Sequence, residues 1–176
     1  MGQEVSASWD EPVHLSDYRP EWPDLFATEA ERISRVLPEL MTIEHIGSTA
    51  VPGLPSKPIV DLMVGVGAQH ELPEARRRLV ESGYEDLGEA GVPGRIYLRQ
   101  RSGQPYNIAL VLRCGPIWNA NLALREYLRT HPHEVHRYAE IKRSAVEGGA
   151  GSLLAYSAYK AAFLSGMIRR ALRSGE

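Results

Sequence analysis

Apolar residues recur at helical spacing near the start of the chain. Phe26, Ala30, Ile33, Leu37 and Leu40 form one stripe, with Glu29, Glu31, Arg32 and Arg35 between them. The pattern predicts an amphipathic helix over 22–40. Trp22-Pro23-Asp24 suits its first turn, because proline is tolerated there and an early acid complements the helix dipole. Residues 1–21 show no period and carry Pro12 and Pro20, so they read as an extended arm.

A strand over 41–46 follows, turned by Gly47-Ser48-Thr49 into a proline-rich loop over 50–58. Residues 59–66 are nearly all apolar, broken by Asp61 and Gly65, which suits a strand buried on both faces. Leu72, Ala75, Leu79 and Val80 mark a short helix ended by Gly83. Two runs, 95–101 and 106–113, flank Ser102-Gly103-Gln104-Pro105 and read as a hairpin. Strand signals end at Gly115-Pro116. Helical stretches are expected near 117–130, 133–146 and 153–173, the last with a stripe of Tyr156, Tyr159, Phe163, Met167 and Ala171.

Helix, mixed strands and then helices describe an α+β fold. The expected organisation is an arm (1–21), a core (22–114) and a helical annex (115–176) packed on that core, one domain overall. The link at 115–116 is too short for a free hinge.

With 176 residues, 43% hydrophobic and 24% charged, the chain can fill a sizeable core. A net charge of -2 gives no overall basic field, and no run interleaves basic and aromatic residues, so no nucleic-acid partner is expected. The single cysteine, Cys114, excludes an intrachain disulfide and a Cys-rich zinc site, and reads as a small hydrophobe. No apolar run reaches membrane-spanning length. The opening MGQEVSASWDEP is polar and acidic, unlike a secretory signal. A cytoplasmic location without membrane contact is the expectation.

The stretch from His45 to Asp61 carries the chemistry. Glycine at Gly47 lets backbone approach phosphate oxygens, and Ser48 and Thr49 offer hydroxyls and N–H groups to an anion. Asp61, on the next strand, is placed to hold Mg²⁺ against the same phosphates. The same residues also describe a plain turn and a strand with one hydrogen-bonded acid. Lys57 is either a phosphate ligand and partner of Asp61 or a loop lysine. Arg95, Arg99 and Arg101 share parity on one strand, so they form either an anion-binding wall or a solubilising face. Tyr156 and Lys160 lie four apart on one helix face, and either close the cleft from the annex with Arg125 or are a core tyrosine and a snorkelling lysine. His45 is either a ligand group or a core histidine. His131, His133 and His136 read as surface residues, and Glu44 as a salt-bridged or solvated acid.

These motifs resemble those of the GrpB family. HIGSTAVPGLPSKPIVDLMVGV matches its long signature, and Tyr18-Arg19-Pro20-Glu21-Trp22 its opening Y-x-P-x-W. Leu124-Arg125-Glu126-Tyr127-Leu128-Arg129 is similar to its F-R-D-Y-L-R helix. Tyr138 to Lys142 and Tyr156 with Lys160 are similar to its later Y-x-x-L-K and Y-x-x-x-K. The resemblance implies a nucleotidyltransferase-like mixed sheet with flanking helices. It also implies departures. Nucleotidyltransferases carry a D-x-D/E pair where this chain reads Asp61-Leu62-Met63, and a further acid on a later strand. That strand here has none, and Asn107-Ile108-Ala109 stands where GrpB proteins often read H-L-H.

The resemblance thus implies an enzyme that binds a nucleoside triphosphate with Mg²⁺ and acts on a small acceptor. Asp61 and Lys57 would be catalytic, with Asp61 the metal ligand. Gly47, Ser48, Thr49, Arg95, Arg99, Arg101 and Lys160 would bind phosphate, and His45, Asn107, Arg125 and Tyr156 would bind substrate. The alternative is a non-catalytic module that binds a phosphorylated small molecule, in keeping with GrpB-type domains fused to dephospho-CoA kinase.

Overall fold

The computed structural model describes residues 10–174, so most of the opening stretch read above for a leader lies outside them. Five helices and five strands follow in order: α1 (Trp22–Ser34), β1 (Thr42–Ile46), β2 (Val60–Val66), α2 (Leu72–Glu81), β3 (Glu85–Asp86), β4 (Ile96–Gln100), β5 (Tyr106–Leu112), α3 (Pro116–Thr130), α4 (Pro132–Glu147) and α5 (Leu153–Ser174). The strands form one mixed sheet in the order β1-β2-β5-β4-β3. β2 and β5 run parallel at its centre, and the other neighbours are antiparallel. This is the α+β architecture expected, with helices on both faces.

Alternation along the strands divides the two faces. Val60, Leu62, Val64, Val66, Leu98, Ile108 and Leu110 point to α1 and α2 and build the main core with Trp22, Ile33 and Leu79. The opposite face carries Ile46, Met63, Ala109 and Val111, and Trp118 of α3 seats on it. That seat requires glycine at Gly65, because a Cβ there would lie 2.5 Å from Trp118 Cζ3. The annex is therefore the cover of the second sheet face. The proline-rich loop contributes Val51 and Leu54, which are buried among α3, α4 and α5 beside Leu128, Tyr138 and Met167.

Four details differ from the sequence reading. α1 stops at Ser34 and Leu40 is 85% exposed, because Pro38 disfavours helix at the preceding residue. Glu29, read as a polar-face residue, is buried and accepts hydrogen bonds from Arg32 and from the Tyr84 hydroxyl. Cys114 is exposed at φ 61°, in the reversal between β5 and α3, and does not pack as a hydrophobe. On α5 Tyr159 is exposed, and Lys160 takes the inward position beside Tyr156.

From residue 10 the arm is extended and bridges distant parts of the chain. Pro12 pairs with Ser152 and Ser16 with Ser56, tying the start of α5 to the loop before β2. Val13 buries itself with Ala145, Leu153 and Tyr156.

His45 and Thr49 lie away from the second face. His45 pairs in register with Leu62, stacks on Phe26 of α1 at 4.7 Å between ring centroids, and shares a 2.9 Å hydrogen bond with the Thr49 hydroxyl. Burial, followed by the charges of Arg129 and Arg125, lowers its pKa to about 4. The ring is therefore neutral in the folded protein over a range where the unfolded chain, near 6.5, takes up a proton. The contribution to stability is complete above about pH 6.5 and is lost as pH falls toward 4. Urea midpoints should fall across that window, and His45→Gln should flatten that part of the profile. Trp118→Ala should cost roughly 3–5 kcal/mol in a single cooperative urea transition, since it empties the joint between annex and sheet.

Candidate functional site

One row crosses the sheet on the annex face. Ile46 pairs with Asp61, Asp61 with Asn107, Asn107 with Arg99, and Arg99 with Glu85. Asp61 is thus an acid on an interior strand, at the end where β1 turns into Gly47-Ser48. Gly47 adopts φ 71°, and a Cβ on it would meet Asp61 Oδ2 at 2.5 Å. Glycine here serves both the left-handed backbone and the close approach of the carboxylate.

Asn107 donates from Nδ2 to Asp61 Oδ1 at 2.7 Å. Its Oδ1 accepts from Arg101 at 3.0 Å, and Arg101 is held by both oxygens of Glu11 at 2.7 and 2.8 Å. The relay fixes the amide orientation and leaves Asp61 as its final acceptor. β5 therefore presents a neutral donor, not an acid, to Asp61. Met63, two residues after Asp61, is wholly buried against Ile46 and Trp118. An aspartate there would bury a charge away from the cleft.

Three lysines meet Asp61 and Ser48. Lys57 leads into β2, Lys142 comes from α4 and Lys160 from α5. Lys142 is 1% exposed and donates to Ser48 Oγ and, at 2.8 Å, to the Pro55 carbonyl. Ser48 Oγ accepts this bond and also hydrogen-bonds the Tyr138 hydroxyl beside it. Lys142 lies over the Tyr138 ring at 4.7 Å and Lys160 over the Tyr156 ring at 4.2 Å. Burial lowers all three lysine pKa values. Lys160 falls to about 8 and Lys142 well below its ordinary value, while the carboxylate of Asp61 works in the opposite direction on each.

The cleft has two lobes. The larger, about 400 Å³, is walled by Ser48, Lys57, Asp61, Arg95, Tyr97, Asn107, Tyr156 and Lys160, among others. The smaller, about 200 Å³, continues past Gly47, Ser48, Asp61 and Lys160 to Val51, Leu124, Leu128 and Arg125. A wider depression of about 750 Å³ along α2 lies apart from these residues.

The structure thus brings Gly47, Ser48, Lys57, Asp61, Arg95, Asn107, Arg125, Tyr156 and Lys160 to one cleft. It turns His45 and Thr49 to the other side of β1, where they brace α1. The three arginines share a face as their parity implies, yet they differ. Arg99 and Arg101 are neutralised by Glu85 and Glu11. Arg95 stacks on Tyr97 at 4.7 Å, donates to the carbonyls of Glu89 and Ala90, and keeps a buried Nε without a hydrogen-bond partner. Arg125 is committed to Glu44, Glu126 and the His45 carbonyl.

Two participants were missed from sequence. Lys142 had a signal, because Tyr138 and Lys142 repeat the four-residue spacing of Tyr156 and Lys160. Glu11 had none, lying in an arm without periodicity. Among the described residues, no three His, Cys, Asp or Glu side chains group as metal ligands. The donor set does not fit a two-metal centre. It fits one hard cation held by Asp61 when ligand phosphates complete the shell.

The chain resembles the crystal structure of conserved protein GrpB from Enterococcus faecalis with a TM-score of 0.83 and 30% identity, covering 92% of this chain and 98% of that one. It is 31% identical over 133 residues to the UPF0157 protein YqkA of Bacillus subtilis, covering 74% of this chain and 39% of that protein. It is also 27% identical over 191 residues to a dephospho-CoA kinase of Mycolicibacterium paratuberculosis, covering 91% of this chain and 46% of that protein. The chain therefore spans less than half the length of these two relatives. The family model described as GrpB protein matches residues 12–170, nearly the whole of the described chain, and this chain belongs to the GrpB family.

Proposed function

We propose that the cleft binds a phosphorylated small molecule, a nucleoside triphosphate with Mg²⁺, and transfers a group from it to a small acceptor. The observation that carries this reading is the convergence of Ser48, Lys57, Lys142 and Lys160 on Asp61 in a cavity of about 400 Å³. Cations outnumber the one cleft carboxylate left without an arginine partner, so an anion is the fitting occupant. Ser48, Lys57, Lys160 and Arg95 would hold phosphate oxygens. Asp61 would hold a magnesium ion arriving with the phosphates, which would supply charge neutralisation there. Developing negative charge on a departing phosphate would meet fixed ammonium groups in a half-enclosed site. The smaller lobe, on the other side of Ser48 and Asp61, would seat the acceptor.

Met63 and Asn107 favour a second reading, a module that binds the phosphorylated ligand without transfer. The match to part of a dephospho-CoA kinase agrees with such a service to a partner enzyme.

Titration calorimetry with ATP, with and without Mg²⁺, tests both. Ser48→Ala should weaken binding by about 1.5–3 kcal/mol, the range of one hydrogen bond to a charged group. Asp61→Asn should remove the magnesium dependence of binding and abolish any nucleotidyl product. If Asp61→Asn leaves affinity and magnesium dependence unchanged, transfer is excluded and the binding module stands. If ATP does not bind the wild-type protein in either condition, the nucleotide reading fails.

A further inference from the structure

The sequence contains 17 arginines and three lysines, Lys57, Lys142 and Lys160. All three lysines stand in the wall of one cleft. Ion pairs elsewhere in the described residues use arginine or histidine, as in Arg35–Glu31, Arg77–Glu81 and Arg170–Glu134. The two cations are not equivalent. A guanidinium stays charged, whereas a buried amine can lose its proton and then has a nucleophilic lone pair. What arginine cannot supply is confined to one place in this molecule.

The three amines differ in their commitments. Lys142 is occupied by Ser48, the Pro55 carbonyl and the Tyr138 ring. Lys57 stands within the influence of two acids, Asp61 and Glu11. Lys160 has neither an ion pair nor a hydrogen bond among the described residues. Its Nζ rests 4.2 Å from the centroid of the Tyr156 ring, and its side chain lines both lobes. Burial and the neighbouring Lys57 amine disfavour an ammonium at that point, as for other lysines that react as free amines. Arg95 and Lys57 line the same lobe and offer charge to a phosphate.

We propose that Lys160 forms an imine with the carbonyl group of a phosphorylated aldehyde or ketone whose phosphate is held by Lys57, Arg95 and Ser48. The Lys160 nitrogen attacks the carbonyl carbon, a C–N bond forms, and the carbonyl electron pair moves to oxygen. A proton passes from nitrogen to that oxygen, with Asp61 in the same wall as its relay. The resulting carbinolamine expels water as the C=N bond forms. The balance is one amine and one carbonyl giving one imine and one water. This activity goes beyond nucleotide binding and does not require it.

The probe is glyceraldehyde 3-phosphate with cyanoborohydride, which reduces the imine to a stable secondary amine. The full-length protein is labelled, digested and mapped by mass spectrometry. The expected result is one adduct, on Lys160. Labelling should exceed that by unphosphorylated glyceraldehyde by about tenfold or more, the return on one charge-assisted hydrogen bond to phosphate. Lys160→Arg should remove the adduct while circular dichroism and the melting transition persist. If that variant does not fold, the mapped wild-type adduct and the phosphate preference decide alone. An adduct only on Lys57 or the terminal amine, or equal rates for the two aldehydes, overturns the proposal. Adding ATP with Mg²⁺ separates the two readings. Protection of Lys160 supports both, whereas an adduct unaffected by ATP in a protein that binds no ATP leaves the imine site and removes the nucleotide. ATP binding without any Lys160 adduct does the reverse.

Discussion

A carboxylate on an interior strand has to be answered by something. Asp61 lies on β2, between β1 and β5, where each neighbouring position of the strand is buried. Its partners cannot come from the main core, which is apolar. They come from the other face: Asn107 from the next strand, Lys57 from the loop, and Lys142 and Lys160 from the annex. Most features of the second face follow from this one charge. Gly47 is bare so that the carboxylate fits, Asn107 is held by Arg101 so that its amide points the right way, and Glu11 reaches across to hold Arg101.

The annex solves two problems with the same three helices. Trp118 covers Met63, Ala109 and Val111, the apolar half of the face. The Tyr–Lys couples of α4 and α5 cover its polar half. Each lysine amine rests over a tyrosine ring, so the aromatic body supplies burial and the amine supplies charge. The proline-rich loop is gripped between these halves by Val51 and Leu54, which sets the position of Ser48.

Periodicity alone revealed much of this. The apolar run over 59–66 gave a buried strand carrying one acid, and the shared parity of Arg95, Arg99 and Arg101 gave their common face. The Gly-Ser turn and the helical Tyr–Lys spacing marked the cleft. What the sequence hid was which charges cancel. Arg99 and Arg101 looked like an anion wall because Glu11 is 90 residues away in the chain from Arg101. His45 looked like a ligand because it precedes Gly-Ser; its odd position relative to Asp61 turns it to α1, and only the register with Leu62 shows that. The end of α1 was visible in Pro38, though its apolar stripe ran on to Leu40.

Synthesis runs from the N-terminus, and this sets the order in which the cleft acquires its charge. By the time β5 has left the ribosome, the sheet, α1 and α2 can assemble, with Asp61 and Asn107 already paired. The face that Trp118 will cover is then bare, and Lys142 and Lys160 have yet to emerge. A nascent chain at that stage is a half-site in which Lys57 and Arg95 already stand beside Asp61, with an uncovered apolar strip. Its last two amines arrive with α4 and α5, and the arm closes over the first turn of α5 through Pro12 and Ser152. The cationic excess of the site is completed by the last helix to arrive.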